Sequence, residues 1–258
     1  MKRNYRGRLA RALARARIVA ALERSLESDI ASWLARVGNA AAAAAKEGHA
    51  AQAEKIPHQM QGRLLRTFKA RLKAIATTIV KHEFYGPDLG KSASELESKG
   101  WLEDFLAAAL DWIDDYAAMR VFQIADTTRE QIRTVIHEAV EQPIPPKETA
   151  AKIVERTGGD IGKARAIRIA RTETHGASER ATFEMMRKQN LPYDKEWVAV
   201  EDARTRLAHR LADGQTVATN EPFIVGGEAM MFCGDPSASP RNLVNCRCVT
   251  IYIPRIPK

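Results

Sequence analysis

The chain has 258 residues, 45% of them hydrophobic and 28% charged, and carries a formal net charge of +8. That length allows one large domain or two ordinary ones with a buried core and no covalent staples. No run approaches the ~18 apolar residues of a membrane span, the start lacks a signal peptide's apolar core, and the three cysteines, two of them one residue apart, form no secreted disulfide framework. A soluble protein made in a cytoplasm is the expectation, with cysteines that are either reduced or metal-bound.

The charge is concentrated in blocks. Residues 1–24 hold eight Lys or Arg and one Glu, residues 55–82 hold seven and no acid, and residues 95–115 hold seven acids and one Lys. Residues 5–36 have helical spacing, with Leu9, Leu13, Ile18, Leu22, Leu26, Ile30 and Leu34 on one stripe and arginines between them. Gly38-Asn39 predicts a break before the helix-forming Ala40–Ala45 run. Pro57 is expected to open a second helix reaching about Phe84 and stopped by Gly86-Pro87. On these two basic helices Arg6, Arg8, Arg11, Arg15, Arg63, Arg66, Lys69 and Lys73 are the candidates for contact with DNA phosphates or an acidic partner. Solvated helices whose arginine stems cover apolar surface explain them equally well.

Residues 94–140 keep a helical period throughout and predict one long or once-broken helix. Trp101, Trp112 and Tyr116 fall on its apolar stripe and read as core rather than base-stacking platforms. Asp104, Asp111 and Asp115 recur on the polar face, which gives the basic helices an alternative partner within the fold or between copies.

Pro143, Pro145 and Pro146 mark the clearest boundary, since each lacks a donor and pushes its predecessor out of helical geometry. The expected organisation is α+β, with a helical domain at 1–145 and a compact module of helices and short antiparallel strands at 146–258. In that module a short helix ends at Gly158-Gly159. A longer one at about 162–189 presents Ala164, Ile167, Ala170, Thr174, Ala177, Ala181 and Met185 as a narrow packing face. Arg171 or Glu173 is expected to tie that helix to the β region; Glu173 and His175, two apart, lack the spacing of a helical zinc protease motif. After Leu191-Pro192 the period becomes two, with strands at Trp197–Val200, Thr216–Ala218, Phe223–Val225, Glu228–Phe232 and Cys248–Ile253.

The last quarter carries the motifs: Asp202-x-Arg204-Thr205-Arg206-x-x-His209, Asp213-Gly214-Gln215, Pro222-Phe223, Gly227, Gly234-Asp235-Pro236 and Asn245-Cys246-Arg247-Cys248. With Trp197 and the upstream Ile169-Ala-Arg-Thr-Glu173, this series resembles the phage Mu F-like family of minor head or head morphogenesis proteins, over roughly residues 146–253. One position departs from the family: Cys233 stands where a Pro usually precedes the Gly-Asp turn. The resemblance implies a structural component of a tailed-phage or prophage head near the portal, made in the bacterial cytoplasm and resident in the virion. Its implied partners are the portal and other head proteins, and its implied role is head assembly and DNA packaging or ejection, with no membrane and no small-molecule substrate.

Read from the residues themselves, Asp202, Arg204, Arg206, His209, Arg210 and Asp213 are expected, as one alternative, to form a charged network of bidentate Asp–Arg bonds with His209 donating to a backbone carbonyl. Cys246 and Cys248, two apart on a strand, share a face. A disulfide between them is improbable on geometry, and with His209 they are candidate zinc ligands, Cys233 or Asp235 being the remaining candidates for a fourth. Small buried thiols are the alternative. A zinc-stabilised DNA-binding module outside the virion, and a hydrolase using His209 as general base, are competing functional readings. No phosphate loop, HExxH or nucleophile elbow is present to support the hydrolase.

Overall fold

The computed structural model describes residues 2–85, 100–189, 193–200 and 202–255, without the side chains of residues 2–6, 8 and 11. The expected stop at Gly86-Pro87, residues 94–99 of the expected long helix and the Leu191-Pro192 change of period lie outside the described residues. The elements are α1 (Lys2–Lys46), α2 (Ala50–Gln59), α3 (Gln61–Phe84), α4 (Trp101–Leu110), α5 (Ile113–Glu141), α6 (Pro146–Gly158), α7 (Asp160–Lys188), β1 (Tyr193–Val198), α8 (Leu207–Leu211), β2 (Thr216–Ala218), β3 (Phe223–Val225), β4 (Glu228–Met230), α9 (Pro240–Leu243) and β5 (Val249–Pro254). The fold is α+β, mostly helical with short antiparallel strands, as the sequence implies.

The strands expected at Trp197–Val200, Glu228–Phe232 and Cys248–Ile253 lie at Tyr193–Val198, Glu228–Met230 and Val249–Pro254, and three expectations for the helices change. First, α1 runs unbroken through Gly38-Asn39. Gly38 is there because a Cβ would lie 1.9 Å from Thr157 Oγ1, and a Cβ on Gly158 would lie 2.9 Å from Ala35 Cα, so α1 and α6 meet backbone to backbone. Second, Pro57 sits inside the last turn of α2 rather than opening α3. With no N–H it forfeits one helical bond, and the helix closes two residues later. Third, the packing face of α7 is not the expected one: Ala164 is exposed while Gly162, Ala166 and Ala170 are buried, and in the second half residues 172–175, 177–179 and 181–186 are all buried. The long acidic segment is once broken, between α4 and α5.

The chain divides into two compact units, one made of residues 1–23, 72–112 and 171–258, the other of 24–71 and 113–170. In the second, Leu26, Ile30, Trp33, Leu34, Val37 and Ala41 bury the helical stripe of α1. Trp33 Nε1 donates to Met60 O at 3.0 Å. α2 and α6 each lie along α5. The Arg165 guanidinium grips the Ile124 carbonyl, Thr128 and Gln131 at 2.8 to 3.1 Å, and burial lowers its pKa to about 10.

In the first unit β1 is the centre of an antiparallel sheet ordered β2-β1-β5, and β3 pairs with β4 in a hairpin. The hairpin turn is Gly226-Gly227, both at positive φ, which is why glycine occupies both places. Trp197, Phe223, Val225, Met230 and all three cysteines form the core beside the sheet. Ala12 of α1 packs on Val249 and Ile251 of β5.

A buried ionic cluster joins four elements of this unit. Arg15 Nη1 pairs with Glu83 at 3.2 Å, and its Nη2 meets Glu179 at 2.9 Å and the Thr250 carbonyl at 3.0 Å. Glu179 also accepts the Thr250 amide at 3.0 Å. Burial alone would lower the pKa of Arg15, but Glu179 and Glu83 outweigh it and raise it. Lys195 on β1 is likewise fully buried. Its Nζ donates to Met231 O at 2.6 Å and sits over the Phe183 and Phe223 rings.

Removing Arg15 strands two buried carboxylates. Arg15→Ala is expected to lower the unfolding free energy by about 3–5 kcal/mol, measured by urea denaturation. Burial lowers the pKa of Lys195 from 10.5 to about 8. Below that value lysine is charged in both states, so its burial penalty does not vary. Between about pH 8 and pH 10.5 the folded protein gives up the proton before the unfolded chain does, so this group makes stability rise with pH. Denaturation curves across that window should show the rise in the wild type relative to Lys195→Met.

Candidate functional site

The site is assembled from the motif residues between β1 and β5. Along β1, Tyr193, Lys195 and Trp197 face inward and alternate with half-exposed neighbours. The chain leaving β1 turns at Asp202, whose carboxylate accepts Arg204 N at 2.9 Å and Thr205 Oγ1 at 3.2 Å. Arg247 closes on the same carboxylate with two bonds, at 2.5 and 2.7 Å. These bonds, Arg247 foremost, hold Asp202 well below the usual carboxylate range. Thr205 Oγ1 also reaches the Val200 carbonyl.

Arg206 stands just ahead of α8 and donates to the Val244 carbonyl. One turn on, His209 points inward and is 2% exposed. Its ring is edge-on to Trp197, with centroids 5.4 Å apart. Asp213 accepts Ala199 N at 2.7 Å, and Gly214, at φ 74°, lets the turn return its amide to Trp197 O. The Gln215 side chain binds both backbone groups of Ile224 at 2.7 and 3.2 Å, standing in for a strand.

The closing Asn245-Cys246-Arg247-Cys248 segment is held from several sides. Asn245 takes a left-handed φ of 56°, a conformation that Asn tolerates better than most residues, and its amide donates to Thr172 Oγ1 of α7 at 3.1 Å. Cys246 and Cys248 both point inward and are 2% exposed, while Arg247 between them faces Asp202. The two thiols therefore share a face, although neither lies in a strand, since β5 begins at Val249 and Cys246 N still bonds Leu243 O in a turn. His209 Nδ1 lies 3.4 Å from Cys248 Sγ and 3.8 Å from Cys246 Sγ. The hydrogen bond from Cys246, then that from His209, bring the Cys248 pKa down to about 5, while the same bond and burial push the Cys246 thiol up.

The candidate residues thus meet in two groups. Asp202, Arg206, Asp213, Asn245 and Arg247 clamp backbone and one another, and His209, Cys246 and Cys248 converge in the interior. The Arg204 side chain is exposed. Cys233 and Asp235 do not join the His-Cys-Cys group. Cys233 is buried with its thiol pKa pushed up by desolvation. Asp235 accepts Met231 N, Ser237 N and Ser237 Oγ at 2.7 to 2.9 Å, fixing the turn at Gly234.

The basic candidates separate. The side chains of Arg6, Arg8 and Arg11 lie outside the described residues. Arg15 is not a surface contact: it is buried against Glu83 and Glu179, because the basic helix turns that position into the protein. Arg63, Arg66 and Lys73 are exposed on α3, and Lys69 pairs with Asp114 at 3.5 Å. Arg171 pairs with Glu23 of α1 at 3.2 Å rather than with the β region. The tie from α7 to β5 is made by Glu179, which the sequence reading missed. The signal available for it was an acid among the small residues Gly176, Ala177, Ser178 and Ala181. Lys195 was missed too, although it is in phase with Trp197 on the inner face of β1.

Residues 130–251 match the model of the Phage Mu protein F like protein family. The chain is 27% identical over 144 residues to the uncharacterized protein YqbB of Bacillus subtilis (strain 168). That alignment covers 54% of this chain and 47% of the relative, so the chain spans about half the relative's length. No solved structure gives a significant match. The matched segment contains α6, α7 and the whole motif series from Trp197 to Cys248, so this part of the chain is similar to the Phage Mu F-like family.

Proposed function

We propose that the protein is a structural, non-enzymatic minor head protein of a tailed phage or prophage, concerned with head morphogenesis. The observation that carries this reading is the family match over residues 130–251, which coincides with one interlocked set of motif side chains. Those side chains hold backbone and each other, as expected of a module that must keep its shape among other proteins.

The finer reading places the protein inside the head near the portal vertex, with the portal and other head proteins as partners. There it assists assembly and the packaging or ejection of double-stranded DNA. Residues 146–258 act as the head-protein module and residues 1–145 as its helical extension. Exposed Arg63 and Arg66 on α3 are the candidates for phosphate contact, since cations on one helix face attract a polyanion without sequence preference. The protein is made in the bacterial cytoplasm and carried into the virion; among the described residues no helix is long and apolar enough to cross a membrane.

Quantitative mass spectrometry of purified heads, both immature and DNA-filled, tests this. A low, fixed ratio of this chain to the major capsid protein is the expected result. Absence from both kinds of particle overturns the reading.

A further inference from the structure

We propose that His209, Cys246 and Cys248 form a zinc site with a water in the fourth position. Their ligand atoms all lie within 4.8 Å of one another, and all three residues are buried. A tetrahedral zinc with Zn–S near 2.3 Å and Zn–N near 2.05 Å sets its N and S ligands about 3.6 Å apart. The two His209 Nδ1 to sulfur distances, 3.4 and 3.8 Å, bracket that value. Two edges of a coordination tetrahedron are thus already in place, with the third ligand pair within 4.8 Å.

Two further observations fit a ligand on Nδ1. That nitrogen meets only sulfur and no oxygen. A buried ring with that inventory is unusual. Beside the group lies a cleft bordered by Arg204, Asn245 and the three ligands, with about 10 Å³ of free space, roughly that of one water. It supplies the fourth position.

The surrounding bonds fit a built site. Arg206 fixes the Val244 carbonyl, Thr172 the Asn245 amide and Asp202 the Arg247 guanidinium, so the Cys-x-Cys segment is held before any ion arrives. Two thiolates and one imidazole are a borderline-soft set with no redox demand, which favours zinc over magnesium or calcium; a four-cysteine iron–sulfur cluster lacks its ligands. With zinc bound both sulfurs are thiolates, so loading releases to solvent whatever proton the pair still carries. Zinc here would pin α8 to the start of β5.

The test uses the full chain, produced in a reducing cytosol and purified with reductant and without a metal-affinity step. Elemental analysis should find about one zinc per chain. Cys246→Ser and Cys248→Ser should each reduce it about tenfold or more, while Cys233→Ser keeps it. Because the serine variants are core changes, the wild type is also stripped and titrated with Co²⁺. A thiolate-to-cobalt charge-transfer band with tetrahedral d–d intensity, reached at one equivalent, supports the site. Three results overturn it: no zinc and no cobalt spectrum, copper as the resident metal, or an intact mass short of two hydrogens that shows a Cys246–Cys248 disulfide.

Discussion

The cluster around Arg15 is the constraint on which the sheet-containing unit rests. One guanidinium serves Glu83 of α3, Glu179 of α7 and the Thr250 carbonyl of β5, so three elements from distant parts of the chain are positioned by a single residue of α1. Removing these charges from water costs several kcal/mol per ion, and only near-complete bonding offsets it. The bonding is correspondingly dense. Glu179 spends its other oxygen on the Thr250 amide, which fixes the height of β5 against α7. Such a cluster contributes less to net stability than an apolar core of equal volume would, and more to the choice of one arrangement among several.

The β-containing region solves a related problem. β2, β3 and β4 are only three residues long, too short for ladder bonds alone to satisfy the backbone around them. Side chains fill the gaps: Gln215 pairs with Ile224, Asp213 with Ala199, Asp235 with Met231, Asn242 with the Val225 carbonyl and Glu228 with the Ser239 amide. The density of Asp, Asn, Gln and Arg in this stretch is thereby explained without chemistry. The His209, Cys246 and Cys248 group is the exception, because its side chains bond one another as well as the backbone of Val200 and Cys248.

Much of this was legible in the sequence. Thr216–Ala218 and Phe223–Val225 are strands at the expected residues because Gly, Pro and Asn punctuate them on both sides. The shared inward face of Cys246 and Cys248 was expected from strand alternation, but the structure produces it in the turn leading into β5. Other features were hidden for physical reasons. Gly38 reads as a helix breaker by propensity, yet its missing Cβ is what admits Thr157. All arginines on a basic helix look alike in sequence, and only the acids brought up by α3 and α7 make Arg15 an interior residue. On α7 the apolar pattern marks one face, but Thr172, Glu173, Ser178, Glu179 and Thr182 on other faces are buried as well. Periodicity reports which side chains avoid water, not which polar ones have found partners.

The bond from Arg15 to Thr250 spans 235 positions of the chain. During synthesis at about 5–20 residues per second, α1 is exposed for many seconds before the strand that receives its guanidinium leaves the ribosome. In that interval its arginines and apolar stripe have no native partner in β5. The early chain is thus a basic amphipathic segment open to other surfaces, and the sheet-bearing unit closes only when the last strand arrives, as a late and highly non-local event.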